Sequence, residues 1–415
     1  MSRARWWLAG AALLAVLPWI PGLQSDFARS LLTQMGIAAV FALSYQLLLG
    51  QTGLLSFGHA VYFGLGGYAA IHFLRAVNGG LAIPIPFVPL AGAAGGLLAG
   101  IVFGAFTTRR AGTTFALISL GVGELVHAAS LMLPGFFGGE EGITASRTRA
   151  PHVLGLDFAS QLQVYYVIAF WLVVATAVIH HFLRTPVGRL CNAVRDNPER
   201  VEFIGYNPQR IRFIAFALSG AIAGLAGGLH AINYEIVASE AVSAARSGAV
   251  LLMVYVGGVG HVIGAILGAI AITWLQVSLS DYTNAWLLYL GLLFMGVVLV
   301  APQGLAGVAI AHLHALRAHA LGPILRAYGI VALPIIAAGL GAITLVEIAY
   351  RRSTQPEVGA VLKLFGIRMD TSTAIPWLAA LALVAIGTWL ARRSWPRVDE
   401  AWSRKESVPA GGSHG

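Results

Sequence analysis

The chain has 415 residues, of which 58% are hydrophobic and only 10% charged, with a net charge of +9; soluble domains carry about a quarter charged residues, so one is excluded. Its basic residues sit in loops beside long apolar runs, the positive-inside pattern of a polytopic membrane protein and not the mark of a nucleic-acid partner. Only two lysines occur, Lys363 and Lys405, neither after a glycine, which excludes a phosphate-binding GxxxxGKS/T loop, and the single cysteine, Cys191, excludes an internal disulfide.

The first apolar run, 6–20, reads as a retained span and not a cleaved leader, because no small-residue cleavage site is evident; Arg3 and Arg5 hold its start inside. Spans are predicted at 31–49, 54–74 and 87–106. The third is dense in glycine (Gly58, Gly64, Gly66, Gly67) and the fourth ends at the inside pair Arg109-Arg110. Small residues let helix backbones approach closely in a membrane. A fifth span, 113–133, leads to an outer loop, 134–161, and a sixth, 163–183, brings the chain back inside.

There it meets a polar island, 184–212, with six arginines (184, 189, 195, 200, 210, 212) against Asp196, Glu199 and Glu202. Its arginine excess places it on the cytoplasmic side. A short helix is written into it. Asn197 is a good N-cap, Pro198 suits the first helical position, and Glu199 and Glu202 favour the positive end of the helix dipole. Gly205 is a natural stop, with Asn207-Pro208 following. The outcome is about two turns of helix outside the membrane, either a docking element for another protein or a solvated loop that marks topology.

The next span, 213–234, crosses outward. The run 247–278 then has to enter and return, because the span 285–300 should end inside, ahead of Arg317 and Arg326. As continuous helix the run measures about 46 Å, too short for two full spans. A broken, partly re-entrant hairpin with its break at Gly257-Gly258-Val259-Gly260 resolves this, and such backbone is tolerated where it is buried in protein or lines a cavity. Beyond Pro302 lies a polar-flecked segment with His312, His314, Arg317 and His319. Spans at 324–348 and 374–390 follow, and a basic end (Arg392, Arg393, Arg397, Arg404, Lys405) sets the C-terminus inside. Arg351-Arg352 falls on the outer side of this count, and 410–415 reads as a disordered tail. The expected fold is an all-α membrane bundle of about 9–11 spans, with a core at 1–308 and an extension at 309–415.

Few residues carry candidate chemistry. Glu124 is the one acid well inside an apolar span, with His127 on the same helical face; it reads as a functional ionisable group or as a hydrogen-bonded packing group. Ser56 and His59, in the glycine-rich span, either line a solute path or merely accompany tight packing. His261 at the predicted break contacts solute or caps freed carbonyls, the latter slightly preferred. His312, His314 and His319 lack the acid or cysteine partners of a metal site. His180-His181 read as interfacial residues, and His152 and Asp157 as a chance HxxxxD spacing.

Several ordered motifs carry a resemblance. The segment Gly50-Gln51-Thr52-Gly53-Leu54-Leu55-Ser56-Phe57-Gly58-His59-Ala60, with Phe63-Gly64-Leu65-Gly66-Gly67-Tyr68, resembles a signature of branched-chain amino acid ABC transporter permeases of the LivM type. Residues 115–124, Gly138–Ile143, Gly257-Gly258-Val259-Gly260-His261 and Ala301-Pro302-Gln303-Gly304-Leu305 are similar to further motifs of that family. The island resembles its coupling loop, although Arg200 and Val201 stand where small residues are usual. Phe137 likewise replaces a usual threonine. The resemblance covers about residues 31–308 and implies a non-catalytic permease subunit in the bacterial inner membrane, with cytoplasmic termini. It further implies partner ATP-binding subunits that carry ATP and Mg, a second, LivH-like permease subunit and a periplasmic solute-binding protein, with no cofactor on this chain. Asn197, Pro198, Glu199, Arg200, Glu202 and Gly205 would then couple to the ATPase. The implied solutes are branched-chain or related amino acids, the alternatives being urea, short amides or aromatic acids. An ion-coupled secondary transporter would want several partnered mid-membrane acids, which this chain lacks.

Overall fold

The structure, a computed structural model, describes residues 3–149, 158–301, 303–317, 321–354, 361–364 and 366–406. Pro302, His152, Asp157, His319 and the segment 410–415 lie outside the described residues. Among those described, nine helices are long and apolar enough to cross a membrane, and a bent pair, Trp286–Leu299 with Gly304–Leu316, raises this to ten at most. The chain is a polytopic helical bundle that divides into two units, Met1–Ser278 with Leu290–Gly307, and Leu279–Tyr289 with Val308–Gly415.

The first unit begins with α1 (Arg3–Val16) and one 3-10 turn, Leu17–Trp19. This corrects the expected first span. Pro18 and Pro21 lack the donors a continuing helix needs, and 14 residues reach only about 21 Å, short of the ~30 Å hydrocarbon core. The next helices are α2 (Asp26–Thr52), α3 (Ala60–Asn78), α4 (Val88–Thr107), α5 (Gly112–Met132), the single turn α6 (Pro134–Phe137) and α7 (Gln161–Phe182). The predicted span 54–74 also needs correction. Gly53 takes φ +71, its N–H closes on the α2 carbonyls, and residues 53–59 run non-helically before α3 starts. Ser56 and His59 therefore belong to a linker and not to a span.

The island holds two helices, α8 (Pro186–Asp196) and α9 (Pro198–Phe203), the first of them absent from the sequence reading. Asn197 caps α9 by accepting from Arg200 N at 3.1 Å, and Gly205 at φ +88 ends it, as the local chemistry predicts. Then α10 (Pro208–Tyr234) crosses the centre of the bundle. Glycines 220, 224 and 228 of α10 face Gly100, Gly96 and Gly92 of α4 in antiparallel order, so the backbones meet without side chains between them. Gly66 of α3 enters the same contact: a Cβ there would sit 2.7 Å from Gly92 O and 2.6 Å from Gly224 O.

The broken hairpin consists of α11 (Ala244–Gly257) and α12 (Val262–Tyr282). Gly257 lies against Gly264 and Met253 against Gly268, so the two run antiparallel about a break at Gly258, whose φ is +110. Side-chain bonds gather the helix ends into two sets. Gln161 Nε2 donates to Thr33 Oγ1 (3.0 Å) and Asn233 Oδ1 (2.8 Å), placing the starts of α2 and α7 and the end of α10 together. A two-residue ribbon, β1 (Ile143–Thr144) with β2 (Ile236–Val237), closes that side. The end of α2 meets the island on the other side. In this unit α13 (Trp286–Val300) supplies residues from 290 onward.

The second unit contains α14 (Gly304–Arg317) from residue 308, α15 (Leu321–Thr354), the hairpin β3 (Val361–Leu364) and β4 (Ile367–Asp370), α16 (Ala374–Ser394) and α17 (Pro396–Glu406). Its core gathers Ala315, Ile324, Ala327, Val331, Val398 and Ala401. Gly387 of α16 seats against Pro334 and Ala338 of α15, and Gly341 against Ala380, in antiparallel order. The 34 residues of α15 span about 51 Å. That exceeds the ~30 Å hydrocarbon thickness, so the helix is long enough to hold Arg351-Arg352 at its end beyond the hydrocarbon.

Candidate functional site

The 53–59 linker is non-helical, yet it is tied to several neighbouring elements. Ser56 and His59 are each 1% exposed. Tyr45 OH donates to Ser56 O at 3.0 Å, and Ser44 Oγ lies 2.9 Å from His59 Nε2. The His59 ring stacks on Phe41 (5.6 Å between centroids) and meets Tyr45 edge-on at 5.0 Å. Ser119 of α5 accepts from Phe57 N, and Ser247 of α11 accepts from Ala60 N, both at 3.0 Å. Four elements thus meet at one stretch of open backbone. Ser56 Oγ, His59 Nδ1 and Gln46 Oε1 are buried there with no protein partner, leaving hydrogen-bonding capacity for a polar guest.

The other two sequence candidates stand apart. Glu124 is exposed on α5, and His127 does not bond it; its Nδ1 lies 3.2 Å from Ser239 O. His261 is exposed at the hairpin break, where its backbone N–H donates to Gly258 O at 3.2 Å. The freed carbonyl beside it, Val259 O, accepts instead from Gln46 Nε2 of α2. Hence the structure brings Ser56 and His59 together and leaves Glu124 and His261 on separate surfaces. Among the described residues no group of three or more His, Cys, Asp or Glu is placed to hold a metal. His312 is instead packed between Tyr328 and Trp402.

The island is a rigid foot with an apolar tip. Cys191, Val194, Val201, Ile211 and Ala215 form a buried cluster, with Phe182 of α7 packed on it. From this base project Phe203 (89% exposed), Ile204 (65%) and Tyr206 (51%). Apolar groups so exposed in an otherwise charged segment mark an interaction surface. Glu199, Arg200 and Glu202 are exposed around them, while Asn197 and Pro198 at the cap are half-buried. Arg195 ties the foot to the bundle. Its Nη1 donates to Gly50 O in the last turn of α2 at 2.5 Å, its stem covers Gly53, and its Nε pairs with Asp196 at 3.0 Å.

Sequence reasoning missed Ser44, Tyr45, Gln46, Ser119, Ser247 and Arg195 as members of these sites. The available signal was a polar triplet, Ser44-Tyr45-Gln46, in an otherwise apolar run.

Over residues 27–302 the chain matches the family described as branched-chain amino acid transport system / permease component. It is 29% identical over 318 residues to the high-affinity branched-chain amino acid transport system permease protein LivM of Salmonella typhimurium, a match covering 71% of this chain and 73% of that one. Against the probable branched-chain amino acid transport permease protein LivH of Methanocaldococcus jannaschii, identity is 27% over 295 residues, with coverage of 66% and 89%. No solved structure matches.

Proposed function

The chain belongs to the family of branched-chain amino acid transport permeases, and from that premise we propose that it is the membrane-spanning subunit of an ABC importer for branched-chain or related amino acids. In this reading two permease subunits, this one and a LivH-like partner, enclose the path in a bacterial inner membrane. Two ATP-binding subunits, holding ATP and Mg, dock below, and a periplasmic binding protein delivers solute from the outer side. The C-terminus is cytoplasmic, while the N-terminus, ahead of a helix too short to cross, lies on the side where α2 begins. Residues 1–308 are the permease core, and 309–415 an extension outside the path. The buried linker with Ser56 and His59 is assigned to the solute path. Glu124 and His261, exposed on this chain alone, are assigned to surfaces that the path or the second permease subunit covers, since a carboxylate left facing lipid is costly.

The observation that carries the reading is the island: an apolar tip on a buried base, strapped by Arg195 to the end of α2. Movement of a docked ATPase pulls on Phe203–Tyr206 and, through Arg195, on the last turn of α2, one turn from the Gln46 that holds the hairpin break. The bundle then rocks between outward and inward openings. In proteoliposomes containing the assembled complex, uptake of leucine should depend on ATP and survive an ionophore. Glu202→Lys reverses charge at the docking face, and Gly205→Val forces a side chain onto φ +88. Both should assemble while losing uptake about tenfold or more, with solute-stimulated ATP hydrolysis uncoupled from it. Wild-type rates and coupling in both variants would refute the docking assignment.

A further inference from the structure

On the outer side of the first unit, an arginine lies part-way inside the bundle with no ion pair among the described residues. Arg246 sits in the first turn of α11, half-buried, with its guanidinium carbon 5.1 Å from the ring centre of Phe63 on α3. Its guanidinium makes no ion pair to a described side chain; among the described residues the ion pairs are Arg29–Asp26 and Arg195–Asp196. Glu240, on the turn before α11, acts on it only through space. The same Phe63 ring meets His230 of α10 edge-on at 5.4 Å, and His230 packs on Tyr234 at 4.5 Å. His230 Nδ1 is buried with no partner. Tyr234 also lines an open cleft of about 690 Å³ that carries two more arginines, Arg75 and Arg149.

A guanidinium offers five donors in a planar fork that matches a carboxylate, and a desolvated one is expensive unless something accepts from it. Its position in the first turn of α11 adds the positive end of a 14-residue helix, which also favours an anion. Phe63 and Tyr234 supply apolar walls, and His230 supplies a further polar atom. The geometry points to Arg246 as the subsite that receives the carboxylate of the solute on its way in from the outer side, with Phe63, His230 and Tyr234 around it. This rests on the reading of the chain as an amino-acid permease, and names the residue that recognises the solute's carboxylate; urea and simple amides would not be held there.

The test uses the full chain in lipid nanodiscs and follows thermal unfolding with leucine, leucinamide, isovalerate or urea. Leucine and isovalerate should stabilise the wild type, whereas leucinamide and urea, lacking the carboxylate, should not. Arg246→Gln should keep the unliganded midpoint and weaken the leucine response roughly tenfold to a hundredfold. Arg246→Lys, which keeps the charge but not the fork, should fall between them. If Arg246→Gln misfolds, the comparison of leucine with leucinamide on the wild type still decides. An unchanged leucine response in Arg246→Gln, an equal response to leucinamide, or no carboxylate response at all overturns the assignment. ATP-driven uptake by the assembled complex tests the permease reading separately: uptake with an unaltered Arg246→Gln variant refutes the subsite alone.

Discussion

Cys191 shows how much of the island is interior. It is buried beneath α9, and that burial pushes its thiol up to about 12. The thiolate is the nucleophile that attacks alkylating reagents, so at neutral pH the residue should react about a thousandfold more slowly than a free cysteine. Maleimide labelling of the native protein should therefore be negligible, and should become fast on denaturation. Rapid labelling in the folded state would mean that the foot opens, and the strap between Arg195 and Gly50 would lose its rigid base. Arg195 itself acts by geometry. A charged donor on the terminal carbonyls of α2 is favourable on electrostatic grounds, and the contact requires Gly53, where a Cβ would come within 2.9 Å of the Arg195 stem.

Two elements define the bundle by what they lack. Between α4 and α10 the glycines leave no side-chain layer, so dispersion and backbone contact replace the apolar knobs of a water-soluble helix pair. A Cβ on Gly224 would lie 2.7 Å from Gly96 Cα and closer still to Gly92 O, both immobile backbone. Gly224→Val is accordingly expected to destabilise the chain by about 3 kcal/mol, the upper end of overpacking costs, and to appear as a lower midpoint in detergent or nanodiscs. Gly121→Val, at an exposed position with nothing within 4 Å, should leave the midpoint nearly unchanged and serves as its control. The hairpin of α11 and α12 obeys the same rule at Gly257, Gly264 and Gly268.

At the scale of the whole chain, the second unit has its own core. Its few polar groups inside apolar helices are satisfied locally: Glu347 accepts from Tyr289 OH at 2.9 Å, Thr344 bonds Leu340 O at 2.8 Å, and Thr388 bonds Val384 O at 2.7 Å. Each of these three described side chains is thus engaged within its own unit. Truncation after Ala309 is therefore expected to reduce expression or complex yield severalfold while sparing uptake per assembled complex. Full assembly with lost uptake, or with an altered solute preference, would bring this unit into the mechanism.

The sequence by itself determined whatever depends on neighbours along the chain. Hydropathy over 18 or more residues marks membrane helices whatever they pack against. Arithmetic on the length of 247–278 required a break, and Asn197, Pro198 and Gly205 wrote the start and stop of α9 because capping is a matter of four adjacent residues. Local chemistry was still under-read at Gly53, a C-cap inside an apolar run that moved Ser56 and His59 out of the predicted span. Only the tertiary structure decided which faces meet. A helix that is apolar all round carries no stripe to fix its rotation, so nothing in the order of residues says that Glu124 turns outward or that Gln46 reaches Val259, 213 positions away. The same holds for Arg195 reaching Gly50, 145 positions away, and for Arg246 finding Phe63 instead of a carboxylate. Those pairings follow from glycine seams that set helix spacing to backbone contact, and a seam acts only when both of its halves are in place.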